Sequence, residues 1–358
     1  METKLEVGVL SLAIGAAAAW FGCKGDTQAV RTMPDGGSAG AGAGGAGEGG
    51  HGATTTGGGG MAVVGQGGGS GGTGVGGGAG TAGSGGSLGA GGAGGVAVTG
   101  AGGAAGTTGA TAIKVLIWNN AVTYGHQSRF TAIPLLQAQA SANNIVFDTT
   151  YAHVTPVLPE GQVDTTSDPS VFSDAGLAPY DVVFFLNTTG LTIDGDGNGP
   201  AHQQALTNFI ATKGRGFVGT HSATDTYDTG WPWYTDFIGA NFKNHSNAGT
   251  AGTATYAPGV SHVILTAANV PNPWNRSEEW YVFTRDPLAS AIPGITILLN
   301  CTDTSNQFGT RPSAWVHDMP GGGRMFYTAF GHAVTAFEEK PVMDMIIAGI
   351  KWAAHRLN

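Results

Sequence analysis

Residues 180–186 read Tyr-Asp-Val-Val-Phe-Phe-Leu and are followed at residues 187–190 by the polar run Asn-Thr-Thr-Gly. A nearly continuous apolar run that ends in polar residues is typical of a strand buried on both faces of a parallel sheet. Related runs lie at residues 113–118, 145–147 and 216–220. Because helical patterns separate these runs, the sequence predicts a doubly wound α/β sheet whose ligands bind beyond the carboxyl ends of its strands.

Apolar periodicity predicts helices at residues 127–143 and 200–212 and a final amphipathic helix at residues 340–356. The final helix should pack onto the sheet through four apolar side chains, Val342, Met345, Ile346 and Ile350. From residue 249 onward the pattern changes to short β segments, predicted at residues 253–256, 279–284, 296–299, 313–316 and 324–328. The C-terminal half therefore adds extra β segments to the α/β core.

The composition divides the chain of 358 residues into unequal parts. About 38 of its 64 glycines lie between Gly36 and Gly109, in a stretch whose only charged residue is Glu48. Such a Gly/Ala-rich chain cannot bury a core, so it is predicted to be a disordered tether. The predicted organisation is a signal peptide at residues 1–23, the tether at residues 24–111 and one α/β domain at residues 112–358.

Net charge and cysteine content exclude several functions. The net charge is −9 and no basic run occurs, so a nucleic-acid partner is not expected. Cys23 and Cys301 are the only cysteines, and they provide neither a disulfide framework nor a Cys-x-x-Cys pair. Any metal site must therefore use histidine and carboxylate ligands.

Residues 7–21 form an apolar run of signal-peptide length that ends shortly before Cys23. Cleavage before this cysteine would produce a bacterial-type lipoprotein, so we expect export to the cell envelope with lipid attachment at Cys23. An uncleaved anchor or a misassigned start codon is the alternative, because Glu2 and Glu6 offset Lys4. A membrane is expected as a partner only through this segment.

Polar residues suited to acid/base chemistry follow several of the predicted strands. Tyr124-Gly125-His126 comes after the first strand, and His221 comes directly after the strand at residues 216–220. Three further candidates lie later in the chain: His245, Glu279 and His332. Because the carboxyl ends of parallel strands point the same way, we predict that the four histidines and Glu279 converge in one cleft.

Residues 219–223, Gly-Thr-His-Ser-Ala, have the outline of a nucleophile elbow, in which a tight turn joins a strand to a helix. His221 occupies the position that holds serine or cysteine in hydrolases of that design, so it would act as a base or a metal ligand. Asp225 is predicted to orient a histidine through its second ring nitrogen.

Aromatic residues near these segments could stack on a sugar ring. The candidates are Tyr124, Trp231, Trp233 and Tyr281. The last three are large enough to fit a core position equally well, and both interpretations stay open at this point.

Residues 194–199, Asp-Gly-Asp-Gly-Asn-Gly, resemble the first half of a calcium loop. The twelfth position is Ala205, where a bidentate glutamate is required, and this favours an Asx/Gly surface turn. His202 in the following helix is interpreted as a solvated residue.

In combination, these motifs resemble the ThuA-like (trehalose utilisation) family over nearly all of residues 113–354. The matching segments are Gly125-His126, residues 180–183, residues 213–225, Trp233-Tyr234, residues 239–242 with His245, Glu279-Trp280-Tyr281, residues 312–315, residues 323–327 and Gly331-His332. The chain departs from the family pattern in an insertion at residues 160–168, in the acidic turn at residues 194–198 and at Ser261-His262.

The resemblance implies a flavodoxin-like fold of the class I glutamine amidotransferase type, a three-layer α/β sandwich that lacks the amidotransferase cysteine. It also implies a link to the breakdown of trehalose and related disaccharides through 3-keto sugars. We therefore expect an exported carbohydrate-active enzyme, a lyase, hydrolase or isomerase, whose partner is a small carbohydrate. The alternative is a tethered, non-catalytic sugar-binding or scaffolding module.

Several residues of the cleft have an expected role in the enzyme hypothesis. The catalytic candidates are His126, His221, Asp225 and Glu279. The candidate metal ligands are His126, His221, His245 and His332, with zinc as the first choice because the ligands are rich in nitrogen. A metal-free cleft that uses imidazoles for acid/base chemistry is equally consistent with these residues. The sequence predicts no oligomeric state.

Overall fold

The computed structural model describes residues 111–358. The predicted signal peptide and nearly all of the predicted tether lie outside these residues. The strands are β1 Ile113–Trp118, β2 Ile145–Asp148, β3 Val182–Leu186, β4 Gly216–Thr220, β5 Phe242–His245, β6 Thr250–Tyr256, β7 Trp274–Glu278, β8 Tyr281–Phe283, β9 Ile295–Asp303, β10 Arg311–Asp318 and β11 Arg324–Thr328. The α-helices are α1 Ser128–Asn143, α2 Asp174–Leu177, α3 Gly199–Thr207, α4 Pro232–Ile238, α5 Val263–Ala267 and α6 Lys340–Ala353. Among the described residues, no helix is both long and apolar enough to cross a bilayer.

Nine strands form one sheet in the order β2-β1-β3-β4-β11-β10-β9-β6-β7. The first five of these strands are parallel to one another, and the remaining pairs are antiparallel. The parallel order, in which β1 separates β2 from β3, is that of the flavodoxin-like fold. The predicted fold class is therefore confirmed, including the extra β segments that the C-terminal half adds at one side.

Strand β3 shows why the sheet has helices on both faces. All five of its residues are fully buried, as the apolar run predicts. Val182, Phe184 and Leu186 pack with α1 and α6, whereas Val183 and Phe185 pack with α3 and α4 on the opposite face. The result is a three-layer sandwich with one hydrophobic core on each face.

Two predicted elements differ from the structure. The segment predicted as one strand at residues 279–284 is interrupted, because Glu279 and Trp280 lie between β7 and β8. The backbone N–H of Glu279 donates to the Glu278 carboxylate at 3.1 Å instead of pairing with a strand. The helix predicted at residues 200–212 ends its α-helical part at Thr207 and continues as a π-helical turn at Asn208–Thr212.

Candidate active site

The site is built at the carboxyl edge of the parallel strands. His126 lies in the loop after β1, Glu160 in the segment after β2, His221 directly after β4 and His332 in the loop after β11. Glu279 joins them from the connection between β7 and β8. Because these four strands run parallel and end at the same edge, the segments that follow them bring together residues that are far apart in the sequence.

The Glu279 carboxylate lies at the centre of this cluster. Its Oε2 is 3.3 Å from His221 Nε2, and its Oε1 is 3.1 Å from His245 Nδ1 and 3.5 Å from His332 Nε2. Burial raises its pKa, but the hydrogen bond to His221 and the charges of the three histidines outweigh burial and lower the pKa to about 2. Glu279 is therefore an ionised carboxylate shared by three imidazoles.

The predicted convergence of the four histidines with Glu279 is confirmed by these contacts and by ring distances. The His126 ring centroid is 4.5 Å from that of His221 and 5.3 Å from that of His332. The exposed fraction differs among the members, since His221 is fully buried whereas the His245 side chain is 41% exposed. The exposed members define the side of the cluster that a ligand can reach.

His221 sits in a strained backbone conformation at the turn that follows β4. Its φ of 46° lies in the left-handed region, which residues other than glycine adopt rarely, and a 3₁₀ helix begins at this residue. The predicted elbow geometry is thus present. The ring Nδ1 donates to the Ala329 carbonyl at 2.9 Å, and the Tyr281 hydroxyl lies 3.0 Å from Nε2. A carbonyl can only accept, which assigns the Nδ1 proton and leaves Nε2 to gain or lose one.

The pKa values of the two buried histidines shift in opposite directions. Burial lowers the pKa of His221, but the hydrogen bond and the charge of Glu279 outweigh it and raise this pKa above its ordinary value. Burial and the neighbouring charge of His221 lower the pKa of His126 to about 4, although Glu160 opposes the shift. Adjacent imidazoles with separated pKa values are a common basis for acid and base roles.

Glu160 adds a second carboxylate to the cluster. Its Oε1 is 2.9 Å from His126 Nδ1 and 3.9 Å from His332 Nε2. One ligand-type atom from each of these three residues lies within 4.8 Å of the others, and this is the group among the described residues that could hold a metal ion. Two imidazoles and a carboxylate are a ligand set of catalytic zinc and non-haem iron sites, so the three residues fit a divalent ion.

This triad changes the predicted ligand set. His126 and His332 are present in it, but His221 and His245 are not. Both ring nitrogens of His221 already have partners, namely the Ala329 carbonyl and the Tyr281 hydroxyl. The Nδ1 atom of His245 donates to the Ser246 carbonyl at 2.7 Å.

A buried hydrogen-bond chain fixes the loops relative to one another. The Thr220 hydroxyl donates to Asn187 Oδ1 at 2.7 Å, and Asn187 Nδ2 donates to the Ser128 hydroxyl and to the Gly331 carbonyl, both at 2.9 Å. The Ser128 hydroxyl donates to the same carbonyl at 2.7 Å. Asn187 follows β3, Thr220 precedes His221, Gly331 precedes His332 and Ser128 begins α1, so these hydrogen bonds connect the ends of β3, β4 and β11.

Glu278 has a different task from its neighbour Glu279. It is buried and accepts hydrogen bonds from the backbone N–H groups of Gly331 and His332, both at 3.3 Å, and from Arg276 Nη2 at 2.8 Å. The two adjacent carboxylates therefore have different roles. Glu278 holds the loop that contains His332, and Glu279 faces the imidazole rings.

The family model for ThuA, described as trehalose utilisation, matches residues 114–353. The chain belongs to the ThuA family. Its fold is similar to that of a ThuA-like protein from Bacteroides uniformis ATCC 8492, with a TM-score of 0.52 and 21% identity over 70% of this chain and 95% of that one. A ThuA-like protein from Parabacteroides merdae ATCC 43184 has a TM-score of 0.48 and 18% identity over 68% and 90% of the two chains. No curated protein matches the chain.

The ThuA domain has no amidotransferase nucleophile among its described residues. Its one cysteine there, Cys301, is buried in β9, and burial raises the pKa of its thiol to about 11. The elbow position after β4 holds His221. The chemistry of this site therefore rests on imidazole and carboxylate groups.

Asp225 does not orient His221, because the two ring nitrogens of that histidine have other partners. This corrects the predicted role. Asp225 lies at the end of the 3₁₀ helix that starts at His221, and its carbonyl accepts from the Gly190 N–H at 2.9 Å. Burial, together with the charge of Asp228, raises the pKa of its carboxyl to about 7.

The aromatic candidates separate into two groups. Trp231 is buried, and its ring centroid lies 4.9 Å from that of Tyr227 and 5.4 Å from that of Trp233. The Trp233 ring in turn stacks on the Phe237 ring, with the centroids 4.8 Å apart. The structure thus places both tryptophans in or against the core and not in the histidine cluster. Tyr281 is buried as well and acts on the His221 ring through its hydroxyl. Tyr124 is the exposed candidate, with its ring 5.0 Å from that of His126.

Sequence reasoning missed Glu160 as a site residue, since it marked residues 160–168 only as an insertion. The available signal was its position after β2, at the same edge as the histidines. The His221 ring is fully buried, because His126, His332 and Tyr281 cover it. These three neighbours have polar groups, so the buried His221 ring is in contact with titratable side chains and is not enclosed by apolar ones.

Proposed function

We propose that the ThuA domain is a carbohydrate-active enzyme that uses this cluster for acid/base chemistry on a small sugar or 3-keto sugar. The observation that carries the proposal is the Glu279 carboxylate shared by three imidazoles, one of which, His221, has a raised pKa. A buried carboxylate paired with such an imidazole can take a proton from a carbon acid and retain it.

A carbonyl at C3 of a sugar acidifies the hydrogen at C2, because the electron pair left behind is delocalised into an enolate. The C2–H bond breaks towards Glu279, whose side chain is 8% exposed, and the proton passes to Nε2 of the fully buried His221. The protonated ring of His245, on the exposed side of Glu279, donates a proton from Nε2 to the oxygen that leaves C1, while its Nδ1–H stays on the Ser246 carbonyl. Elimination then yields an unsaturated keto sugar and a free alcohol. Isomerisation is the outcome when the proton is instead delivered to C3 and the C2 hydroxyl loses its proton, which moves the carbonyl from C3 to C2.

His126, Glu160 and His332 would hold a divalent ion, with zinc as the first choice for this ligand set. When bound, such an ion would supply positive charge near the enolate oxygen. Glu160 is suited to this place because it also accepts from the Gln127 N–H at 2.6 Å, at the start of α1, which fixes its carboxylate. Burial raises the pKa of Glu160, but its hydrogen bond with His126 outweighs burial and lowers it.

The reaction is tested by incubating the full-length protein with 3-keto-trehalose and 3-keto-glucosides across a panel of divalent metals. We expect loss of substrate that Glu279→Gln abolishes. Unchanged substrate under every metal would overturn the enzyme proposal. Sugar binding that survives His221→Ala, without turnover in the wild type, would instead identify a non-catalytic sugar-binding module.

The metal is tested by elemental analysis of protein purified without a histidine tag. We expect about one equivalent of a transition metal, as a single three-residue site would hold. Glu160→Gln and His332→Ala should lower this content, whereas His245→Ala, outside the triad, should retain it. Equal metal content in all variants, or none in the wild type, would contradict the assignment.

We also propose export to the cell envelope with lipid attachment at Cys23, on the basis of the apolar run at residues 7–21. Full-length protein should partition with membranes, and Cys23→Ser should release it. Identical partitioning of the two proteins would overturn this assignment.

A further inference from the structure

Exposed large apolar side chains are concentrated around the histidine cluster. Seven such side chains of the described residues are at least 39% exposed. Five of them lie in the segments that follow the parallel strands β1, β2, β3 and β11, and we call these five the apolar rim: Tyr124, Val157, Val163, Leu191 and Val334. Single exposed apolar residues are normal on a protein surface, but their concentration at one edge is typical of a binding surface.

Backbone hydrogen bonds hold three segments of the apolar rim side by side. Residues 121–124 pair with Asp164 on one side, through bonds of 2.7 and 2.8 Å, and with Thr189 on the other side, at 3.0 Å. Val163 directly precedes the first of these partners, and Leu191 lies two residues after the second. Both are therefore neighbours of the segment that contains the exposed tyrosine of the rim.

The apolar rim begins directly at the residues that fit a metal ion. The Tyr124 ring centroid lies 5.0 Å from that of His126. The loop that contains Glu160 passes close to the same tyrosine ring, since a Cβ placed on Gly161 would lie 3.3 Å from it. A ligand that reaches these residues therefore also meets apolar surface.

The polar groups of the site lie deeper than the rim. His126, His221 and Glu279 are buried, whereas the five rim side chains are 39% to 56% exposed. A polar floor with an apolar border fits a ligand whose polar end enters the cluster and whose apolar part stays at the border.

The proposed reaction determines which end of a sugar faces the rim. It places C1 beside His245, C2 at Glu279 and C3 near the three residues that fit a metal ion. The His245 ring contacts the Phe242 and Tyr281 rings, with centroids 5.8 and 6.3 Å away, and these are not rim residues. Because C4 and C5 follow C3 around the sugar ring, they and the attached C6 lie towards the rim.

We propose that the apolar rim binds a hydrocarbon chain attached to O4 or O6 of the sugar whose C1 to C3 atoms occupy the histidine cluster. This inference rests on the proposed function, because the orientation of the ring is taken from it. It adds to the substrate class an apolar substituent at the end of the ring opposite the leaving oxygen.

The experiment compares sugars that differ in the presence and the position of a chain. The probes are methyl α-D-glucopyranoside, methyl 6-O-(N-heptylcarbamoyl)-α-D-glucopyranoside and octyl β-D-glucopyranoside, whose chain is on C1. Binding to the full-length protein is measured by calorimetry below the concentrations at which the probes form micelles. We expect the chain at O6 to strengthen binding about tenfold, the effect of removing roughly 60 Å² of apolar surface from water. The chain on C1 should strengthen binding less.

Two pairs of variants locate the contact with the chain. Leu191→Ser, in the rim, is matched with Leu288→Ser, an exposed leucine elsewhere. Val163→Thr is matched with Val146→Thr in β2, because these valines are almost equally exposed, at 48% and 47%. The measured quantity is the ratio of the affinities for the O6-substituted and unsubstituted sugars in each protein, since misfolding would weaken both. The rim variants should lower this ratio several-fold, and the matched variants should keep the wild-type ratio.

Several outcomes would overturn the inference. They are a ratio near one in the wild type, the same ratio in all four variants, tighter binding of the chain on C1 than of the chain at O6, and no binding of any probe. A wild-type dimer that Leu191→Ser converts to a monomer would also overturn it, because the rim would then be an interface between copies of the chain.

Failure of the proposed function is distinguishable from failure of this inference. Absent turnover of keto sugars, with a tenfold ratio that the rim variants remove, would leave the rim as a binding surface and remove the reaction. Turnover of keto sugars with a ratio near one would remove only the role of the rim.

Discussion

Two parts of the molecule pair a histidine with a carboxylate at almost the same distance. In the histidine cluster, His221 Nε2 is 3.3 Å from Glu279, and in the acidic turn after β3, His202 Nε2 is 3.0 Å from Asp196. The acidic turn pairs residues only six positions apart, and the Asp196 side chain is 30% exposed. In the cluster, one buried carboxylate contacts imidazoles from three segments that are far apart in the sequence. Convergence and burial, rather than the pair itself, distinguish a candidate site from a local contact.

The strongest test of this comparison replaces each carboxylate by its amide. Glu279→Gln should lower turnover by about 10²- to 10⁴-fold, the range of a lost acid/base group. Asp196→Asn should leave turnover unchanged, because the hydrogen bonds of Asp196 within residues 111–358 go to Asn198 of its own turn and to His202. Steady-state kinetics on both variants measures the contrast. Equal losses in the two would show that the cluster has no special role.

A second test places a methyl group at a glycine in each region. A Cβ at Gly125 would lie 1.9 Å from the Gln162 carbonyl oxygen, whereas one at Gly195 meets no atom within 4 Å. Gly125→Ala should therefore lower the free energy of unfolding by about 1–3 kcal/mol. It should also displace Glu160 from His126, because Gln162 and Glu160 share one loop.

Denaturant unfolding of both alanine variants provides the measurement. Gly195→Ala should stay within about 0.5 kcal/mol of the wild type, as for an ordinary surface substitution. A stable Gly125→Ala protein with full metal content would mean that the loop after β1 and the loop that carries Glu160 do not depend on each other.

The third test concerns pH. The pKa of His126 is lowered from 6.5 to about 4 by burial and by the charge of His221. Its contribution to stability is complete above pH 6.5 and is lost as the pH falls towards 4, because the unfolded chain then binds a proton that the folded one does not. The slope from this group is at most about 1.4 kcal/mol per pH unit.

His126→Gln should flatten the dependence of the free energy of unfolding on pH between 6.5 and 4.5. Glu279 loses its own contribution at lower pH, from about 4.5 towards 2. Asp225, whose pKa is raised to about 7, changes charge within the window in both proteins, so the difference between their two slopes is the quantity that reports on His126. An unchanged slope in the variant would show that His126 titrates normally in the folded protein.

The smallest effect is expected from His202→Gln. His202 is buried, contrary to the solvated position that the sequence suggested, and its Nδ1 donates to the Phe172 carbonyl at 2.7 Å. Loss of this bond should cost about 1 kcal/mol of stability and no activity. A fall in turnover would place the acidic turn in the functional machinery and remove the contrast between the two regions.

The acidic turn also shows why a short sequence motif is weaker evidence for a functional site than several residues that converge in space. Its aspartates point to different partners: Asp194 accepts from the Tyr227 hydroxyl at 2.6 Å, and Asp196 pairs with His202 and Asn198. The first half of a calcium loop is therefore used as a surface turn, as the absence of a twelfth-position glutamate predicts.

The sequence by itself determined the α/β fold class and the edge at which the site lies. Apolar runs and helical periodicity are local properties, so they can be recognised without tertiary contacts. His221 follows one of these runs directly, and His126 follows another after a short loop. Because parallel strands run in one direction, the sequence alone predicts that both residues lie at the same edge of the sheet.

Only the tertiary structure decided which side chains act together and which are covered. Contacts between distant segments decide that Glu279 rather than Glu278 faces the imidazoles. They also decide that Glu160 joins the site from an insertion and that Trp231 is buried. A strand pattern contains no information about these contacts, because loop conformation is set by the packing of the loops against one another. The site is therefore a product of where the loops meet, whereas the scaffold that brings them there is a product of local sequence.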